Sequence, residues 1–290
     1  MYLSLDFGGS TVDAVLWKTV ELMNPVLKER NPLIQSYERS KVSTTQLDSF
    51  FKTSGLSLDG IERIFVTGGK SRFFPSHFMD LPIIKVPEIK AIGRGGLCLF
   101  QNDPSFKDFS HINNLLVVSM GTGTCIVETK IHEGKFLSAT HVGGMGVGGG
   151  TFLGLSRALL GEVDIQKLMK LFQRGDLSKV DISVHDIIGS GIGRVPSSAT
   201  ASNLGRLSNE VDFSPADLAS GIVHLIGQTI GMIATFAAQS RGISVVLLTG
   251  KLTRVEQILD VIIKTAKIYG IEMFVPENAA YVSAFGAVED

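Results

Sequence analysis

Between Ala139 and Leu155 the chain reads A-T-H-V-G-G-M-G-V-G-G-G-T-F-L-G-L, seven glycines that feed an apolar, helix-permissive stretch from Thr151 to Leu160. A backbone without Cβ atoms can pass close to a ligand and can take positive φ wherever a turn needs it. The first N–H groups of the helix that follows have no internal partner, and the helix dipole makes that end mildly positive. Phosphate binds readily at such an end. A flexible loop is the plain alternative. Against it, two further glycine turns, Gly8-Gly9 and Gly121-Thr122-Gly123, lie where strands end.

Strands and helices alternate along the rest of the chain, which predicts an α/β fold. Tyr2 to Phe7 alternates and turns through Gly8-Gly9-Ser10-Thr11 into an apolar strand, Val12 to Trp17. Residues 24 to 38 read as a loop with an edge strand, and Thr44 to Thr53 as a capped helix. Strands at Ile61–Val66 and Leu81–Val86 follow, and Pro87-Glu88 opens a helix to about Phe100. Leu115 to Met120 is a second apolar strand that turns through Gly121-Thr122-Gly123-Thr124 and returns to Thr129. L-D-F-G-G-S-T at Leu5 and V-S-M-G-T-G-T at Val118 are the same device, each opening its own half of the chain. That repetition predicts a duplicated nucleotide-binding architecture, residues 1–110 and 111–290, with one phosphate turn per lobe. Phe136 to Thr140 is a strand that leads into the glycine run. Residues 175 to 205 read as irregular. Ser214-Pro215 starts a long helix to Ser240. A buried strand, Ser244–Leu248, ends in Thr249-Gly250-Lys251, and an amphipathic helix, a short strand and a closing helix complete the chain.

Charge excludes several function classes. Lys+Arg 27 against Asp+Glu 28 leaves no basic excess to neutralise nucleic-acid phosphates or a membrane surface. Two cysteines, Cys98 and Cys125, support neither a disulfide framework nor a cysteine metal site, nor an iron–sulfur ATPase that draws several ligands from each chain. No basic stretch and apolar core precede the first strand, so a cytoplasmic protein is expected. Leu218 to Ser240 carries no formal charge and is long enough to span a bilayer, but it contains His224, Gln228 and Gln239, and a helix buried between lobes is expected instead.

Gly69-Lys70-Ser71 looks like the end of a P-loop, but the glycine required five residues earlier is Ile64. Gly144-x-Gly146-x-x-Gly149 fits the dinucleotide fingerprint by letter. The ribose-binding acid about 20 positions on is not at the end of a second strand, because Glu162 and Asp164 lie between helices. Asp6 ends the first strand beside a glycine turn, where a carboxylate can hold Mg²⁺ against phosphates or simply shape the turn. Glu88 starts a helix just after a buried strand, at the crevice end of an open sheet. It is a candidate general base, and also the kind of first-turn acid that only offsets a helix dipole. His141 precedes the glycine run. Cys125 and His224 read as packed residues.

Taken together these motifs resemble the type II pantothenate kinases, the eukaryotic-like class also found in some bacteria, within the larger group of acetate and sugar kinases, Hsp70 and actin. The matching segments are Asp6-Phe7-Gly8-Gly9-Ser10-Thr11, Met120-Gly121-Thr122-Gly123-Thr124, Gly148-Gly149-Gly150-Thr151-Phe152-Leu153-Gly154-Leu155, Asp181-x-x-Val184-x-Asp186-Ile187, Ala199 to Gly205, and the tail from Glu277 to Ala287. The resemblance implies a duplicated actin-like (ribonuclease H-like) fold of two lobes around a nucleotide cleft. It implies ATP-dependent phosphorylation of pantothenate, the first step of coenzyme A biosynthesis, with Glu88 as general base. ATP would be held by Asp6, Gly8, Gly9, Ser10, Thr11, Gly121 and Thr122, with Mg²⁺ near Asp6. Gly149, Gly150, Thr151, Phe152, Leu153, Gly250 and Lys251 would line the adenosine side, and Thr122, Cys125 and His141 would meet the pantothenate chain. A homodimer, with the long uncharged helix as a candidate contact, is a further implication, and coenzyme A thioesters are candidate partners.

One residue departs from the family. His141 stands where arginine is usual, immediately before Val-Gly-Gly. Arginine is always charged and presents a fork of donors, whereas an unperturbed histidine titrates near ~6.5. Phosphoryl transfer depends on positioning and charge stabilisation, and loss of one such cation would cost on the order of 10²–10³ in rate. Lys90 or Arg94, two and six residues beyond Glu88, are alternative cations. The second reading is therefore a weakened or redirected member: a nucleotide- or coenzyme A thioester-binding regulator, or a kinase of another small hydroxyl substrate.

Overall fold

Period-two alternation sorts the strand residues of this chain into three cores. In the first strand, β1 (Tyr2–Phe7), Leu3, Leu5 and Phe7 point to one face with Phe50, while Tyr2, Ser4 and Asp6 point to the other. The computed structural model describes residues 1–17, 33–38, 47–69, 71–109, 112–209 and 212–288. The loop expected over residues 24–32, the helix start at Thr44, Lys70 and the 110/111 division of the chain lie outside the described residues.

β1 pairs antiparallel with β2 (Thr11–Trp17), and β2 with β3 (Leu33–Glu38). After α1 (Leu47–Ser54), β4 (Arg63–Thr67) joins β1 in parallel, and β5 (His77–Phe78) and β6 (Leu81–Lys85) complete a sheet of order β3-β2-β1-β4-β6-β5. Helix α2 (Glu88–Asn102) follows. The second sheet contains β7 (Asn114–Met120), β8 (Thr124–His132) and β9 (Lys135–Met145) as an antiparallel meander. Next come α3 (Gly149–Leu160), α4 (Ile165–Phe172), β10 (Ile182–Ser183), α5 (Val184–Ile188), β11 (Thr200–Ser202) and the long α6 (Pro215–Arg241). β12 (Val246–Thr249) then joins β7 in parallel, and α7 (Glu256–Ile268), β13 (Met273–Phe274) and α8 (Val282–Gly286) end the chain. The order β13-β12-β7-β8-β9 reproduces β6-β4-β1-β2-β3. The two hairpins are thus equivalent members of a duplicated, two-lobed fold.

The stretch from 175 to 205 is not irregular throughout, since β10, α5 and β11 lie in it. It is pinned by the buried Asp181, which accepts from Thr200 Oγ1 at 2.9 Å and from the Leu204 N–H at 2.8 Å. The glycine run is also not all loop, because β9 continues through it to Met145. α6 is a core helix. Ile222, Ile226, Ile230, Ala234 and Ala238 recur every four residues and are fully buried against α7 and the second sheet. Ser214 and Asp217 form a reciprocal cap at its start, and Gly242 at φ 62 ends it.

The helices between the two sheets are exchanged. α2, from the first half of the chain, packs on the inner face of the second sheet, with Gly96 against Val117 and Gly93 against Thr129 and Ala139. α8, from the tail, reaches the first sheet, where Phe285 meets Trp17 edge to face at 5.3 Å. α2 and α8 cross backbone to backbone. A methyl group at Gly95 would overlap the Val282 carbonyl, and one at Gly286 the Ala91 carbonyl.

We expect Gly95→Ala to lower unfolding free energy by roughly 2–4 kcal/mol in urea melts. Gly154, in mid-α3 with nothing near its missing Cβ, gives the opposite expectation: Gly154→Ala should gain roughly 0.5–1 kcal/mol.

Candidate active site

The alternation that buries Leu3, Leu5 and Phe7 on the outer face leaves Asp6 on the inner face, at the end of β1. Asp13, its register partner on β2, is inner too. On the second sheet the equivalent inner pair is Ser119 and Cys125. All four line a cleft of ≈ 820 Å³ between the lobes. Its rim holds Gly8, Gly9, Ser10 and Thr11 from the first hairpin, Gly121 to Thr124 from the second, and Glu88 from the start of α2. Phe152, Leu153, Ile165, Leu252 and Val255 supply an apolar wall, and Gly250, Lys251 and Arg254 stand beside it.

The two hairpin turns meet. A Cβ on Gly9 would overlap Thr122 Oγ1, so only glycine lets the first turn approach the second this closely. The second turn is in turn held by the glycine run. The Gly149 N–H donates to Gly121 O at 2.8 Å and the Gly150 N–H to Thr122 O at 2.9 Å, while a Cβ on Gly148 would lie 2.7 Å from Gly123 Cα. This corrects one expectation. Gly149 and Gly150 line the cleft, but their amides are spent on the second turn and are not offered to phosphate. Thr151 is not in the cleft lining; its hydroxyl donates to Gly146 O at 2.8 Å and accepts from the Gly148 N–H, closing the start of α3. His141 is also outside the lining. It is exposed on β9, opposite Val127, with Nε2 3.6 Å from where a Cβ on Gly144 would stand.

Burial, and then the charges of Asp13 and Glu88, push Asp6 up to about 7, against the pull of Lys251 and a hydrogen bond with Ser283. Gly68, at φ +90, lets the next turn pass beside this carboxylate; a Cβ there would lie 2.7 Å from Asp6 Oδ1. Burial and Glu88 raise the Cys125 thiol to about 11, which keeps it protonated and makes it a lining group, not a nucleophile. Glu88 therefore acts electrostatically on both Asp6 and Cys125 from its place in the cleft wall. Among the described residues no group of three His, Cys, Asp or Glu could hold a metal by itself. The donor set fits a cation that arrives on phosphates and takes a single protein carboxylate, that of Asp6, the usual manner of Mg²⁺.

Three participants were not singled out from sequence: Asp13, Arg254 and Ser283. For Asp13 a signal existed, because alternation with Val15 and Trp17 buries it, and a buried carboxylate needs a partner. The partner is Lys251, whose Nζ lies 2.6 Å from Asp13 Oδ1. Burial lowers the Lys251 pKa while Asp13 raises it.

Asp6 binds more protons folded than unfolded between pH ~4 and ~7, so its contribution to stability falls as pH rises through that interval. We expect Asp6→Asn, without ligand, to melt higher than wild type at pH 8, by on the order of a few kcal/mol at most, with the gain fading towards pH 4. Equal melting at pH 8 would contradict this.

Comparisons with known proteins agree with the geometry. The Fumble family model matches residues 35–289. A protein of Oceanobacillus iheyensis named type II pantothenate kinase is 28% identical over 224 residues, 77% of this chain and 80% of that protein. One of the same name from Staphylococcus haemolyticus is 28% identical over 237 residues, covering 80% and 85%. Among solved structures, the activator of the 2-hydroxyisocaproyl-CoA dehydratase from Clostridium difficile with bound ADPNP aligns with TM-score 0.57 at 16% identity, covering 99% of this chain and 92% of that one. A ROK family glucokinase from Streptomyces griseus in complex with glucose and AMPPNP gives 0.56 at 12%, covering 99% and 97%. At these identities the structures establish the actin-like kinase fold alone.

Proposed function

The chain belongs to the Fumble family of type II pantothenate kinases, and we propose that it transfers the γ-phosphoryl group of ATP to the primary hydroxyl of pantothenate. The observation that carries this reading is the placement of Glu88 in the cleft wall, on the same cavity as two glycine turns that touch at Gly9 and Thr122. An oxygen nucleophile held between Glu88 and the turns would give its proton to the Glu88 carboxylate as it attacks phosphorus, and ADP would leave towards the apolar wall. The two turns would hold the phosphates, and Asp6 the Mg²⁺ that accompanies them. Phe152, Leu153 and Val255 suit an adenine face. Thr122 and Cys125, small and uncharged, suit the pantothenate chain.

A second reading, a weakened or redirected member, is favoured by the position of His141. It is exposed and outside the cleft lining, at the position where the family has arginine.

The test is product formation by purified protein with Mg²⁺-ATP and pantothenate, read by mass spectrometry. Glu88→Gln should lose about 10²–10⁴ in kcat with ATP binding retained. Wild-type turnover no greater than that of Glu88→Gln would end the pantothenate kinase reading. His141→Arg separates the two readings: a gain in kcat/KM for pantothenate of about tenfold or more marks a weakened kinase, and no gain with intact ATP binding marks another task.

A further inference from the structure

Lys251 belongs to one lobe by chain position and to the other by contact. It follows β12 of the second sheet, yet its Nζ lies 2.6 Å from Asp13 Oδ1 and 3.0 Å from Ser36 Oγ, on strands β2 and β3 of the first. The same ammonium sits 4.1 Å from the centroid of the Tyr281 ring, on the segment that leads into α8. An ammonium has three donors and no more, so these partners leave little of it for a ligand. The pair is sheltered, with side-chain exposures of 25% for Lys251 and 6% for Asp13. Removal of one member would therefore leave an uncompensated buried charge.

The backbone that carries Lys251 is equally constrained. Gly250 is at φ +89, a side chain there would overlap the Met120 backbone, and its N–H donates to Ala279 O at 2.8 Å. Leu252, Arg254 and Val255, the next residues, form one wall of the cleft. On the other side, Asp13 is the register partner of Asp6, and the strands they occupy are joined by the first phosphate turn. One short path thus runs from the nucleoside wall through Lys251 and Asp13 to Gly8, Gly9 and Ser10.

We propose that the Lys251–Asp13 ion pair is an interlobe latch: a positioning pair that transmits seating of a nucleoside on the Gly250–Val255 wall to the first phosphate turn, so that both turns close on one polyphosphate. It rests on the nucleotide half of the function proposed above, and not on the identity of the phosphoryl acceptor. Lys251 acts through Asp13 and does not grip phosphate.

The experiment is a double-mutant cycle on Mg²⁺-AMPPNP affinity, measured by calorimetry for wild type, Lys251→Met, Asp13→Asn and the double variant. Amide hydrogen exchange over residues 8–12 and 249–255 accompanies it. Each single variant should bind about tenfold or more weakly, and the double variant no more weakly than the worse single, because both remove the same coupling. In all three, AMPPNP should still slow exchange over 249–255 and no longer over 8–12. The double variant leaves neither member of the pair as an unpaired charge, so it reports on the latch even where a single variant fails to fold. Three results would overturn the proposal: Asp13→Asn binding as tightly as wild type or more so while Lys251→Met weakens, additive losses, or lowered melting temperatures with unchanged affinity. Shared loss in a chain that does not phosphorylate pantothenate would keep the latch and remove the substrate assignment, whereas absence of any AMPPNP binding would remove both.

Discussion

The crossing of α2 and α8 is the constraint on which the rest of this structure depends. Two helices, one from the first half of the chain and one from its tail, are exchanged between the sheets and meet through Gly95 and Gly286, where no Cβ fits. Their joint core, with Val117 and Val127 from one lobe and Val15, Trp17 and Phe65 from the other, is a single apolar cluster. Burial of that surface fixes the lobes relative to one another more firmly than any polar contact across the cleft would. It also decides where α2 begins. Pro87 and Glu88 follow β6 of the first sheet, while the helix they open lies on the second, so Glu88 is held at the joint, on the cavity that both glycine turns line.

The electrostatics of the cleft follow from that arrangement. Asp6, Asp13 and Glu88 converge on it, and the charge of Lys251 is directed at Asp13. A polyphosphate that approached these acids alone would be repelled. A divalent cation travelling with a nucleotide would offset that repulsion. This is why the upward displacement of Asp6 is informative: burial and two neighbouring acids raise it to about 7, so its ionised form would be favoured by any cation brought beside it. A site of this charge suits a metal–nucleotide substrate better than a free anion.

Much of this was legible in the sequence where a periodicity was long enough to be unambiguous. β1, β2, β7, α2 and α6 lie within a few residues of where alternation, Pro87, Ser214 and the glycine stops put them. The segments that misled were those in which one residue type serves two physical ends. Glycine permits close approach whether the neighbour is a phosphate or another strand of backbone, and in Gly148 to Gly150 the neighbour is the second turn. The fingerprint-like Gly144-x-Gly146-x-x-Gly149 begins on β9, an antiparallel edge strand, so no parallel βαβ unit surrounds it. β10, α5 and β11 were missed because two- to five-residue elements have no period to read; Asp181 and its hydrogen bonds define them. Alternation marks Asp13 as buried and in need of a partner, but Lys251 is adjacent to it only through the fold, and nothing in its own neighbourhood points to Asp13.

Duplication gives the two lobes the same strand order but different chemistry at equivalent points. Asp6 and Asp13 face each other at the mouth of the first hairpin, and Ser119 and Cys125 occupy the same places in the second. Two pairs of carboxylates there would put four like charges around one cleft, a repulsion that no single lysine could offset. Neutral, small residues in the second copy avoid it and leave room beside Glu88. The protonated Cys125 thiol and Ser119 adjoin Thr122, whose hydroxyl touches the first turn. The two hairpins thus present opposite electrostatic environments to one cavity, acidic on the first sheet and neutral on the second.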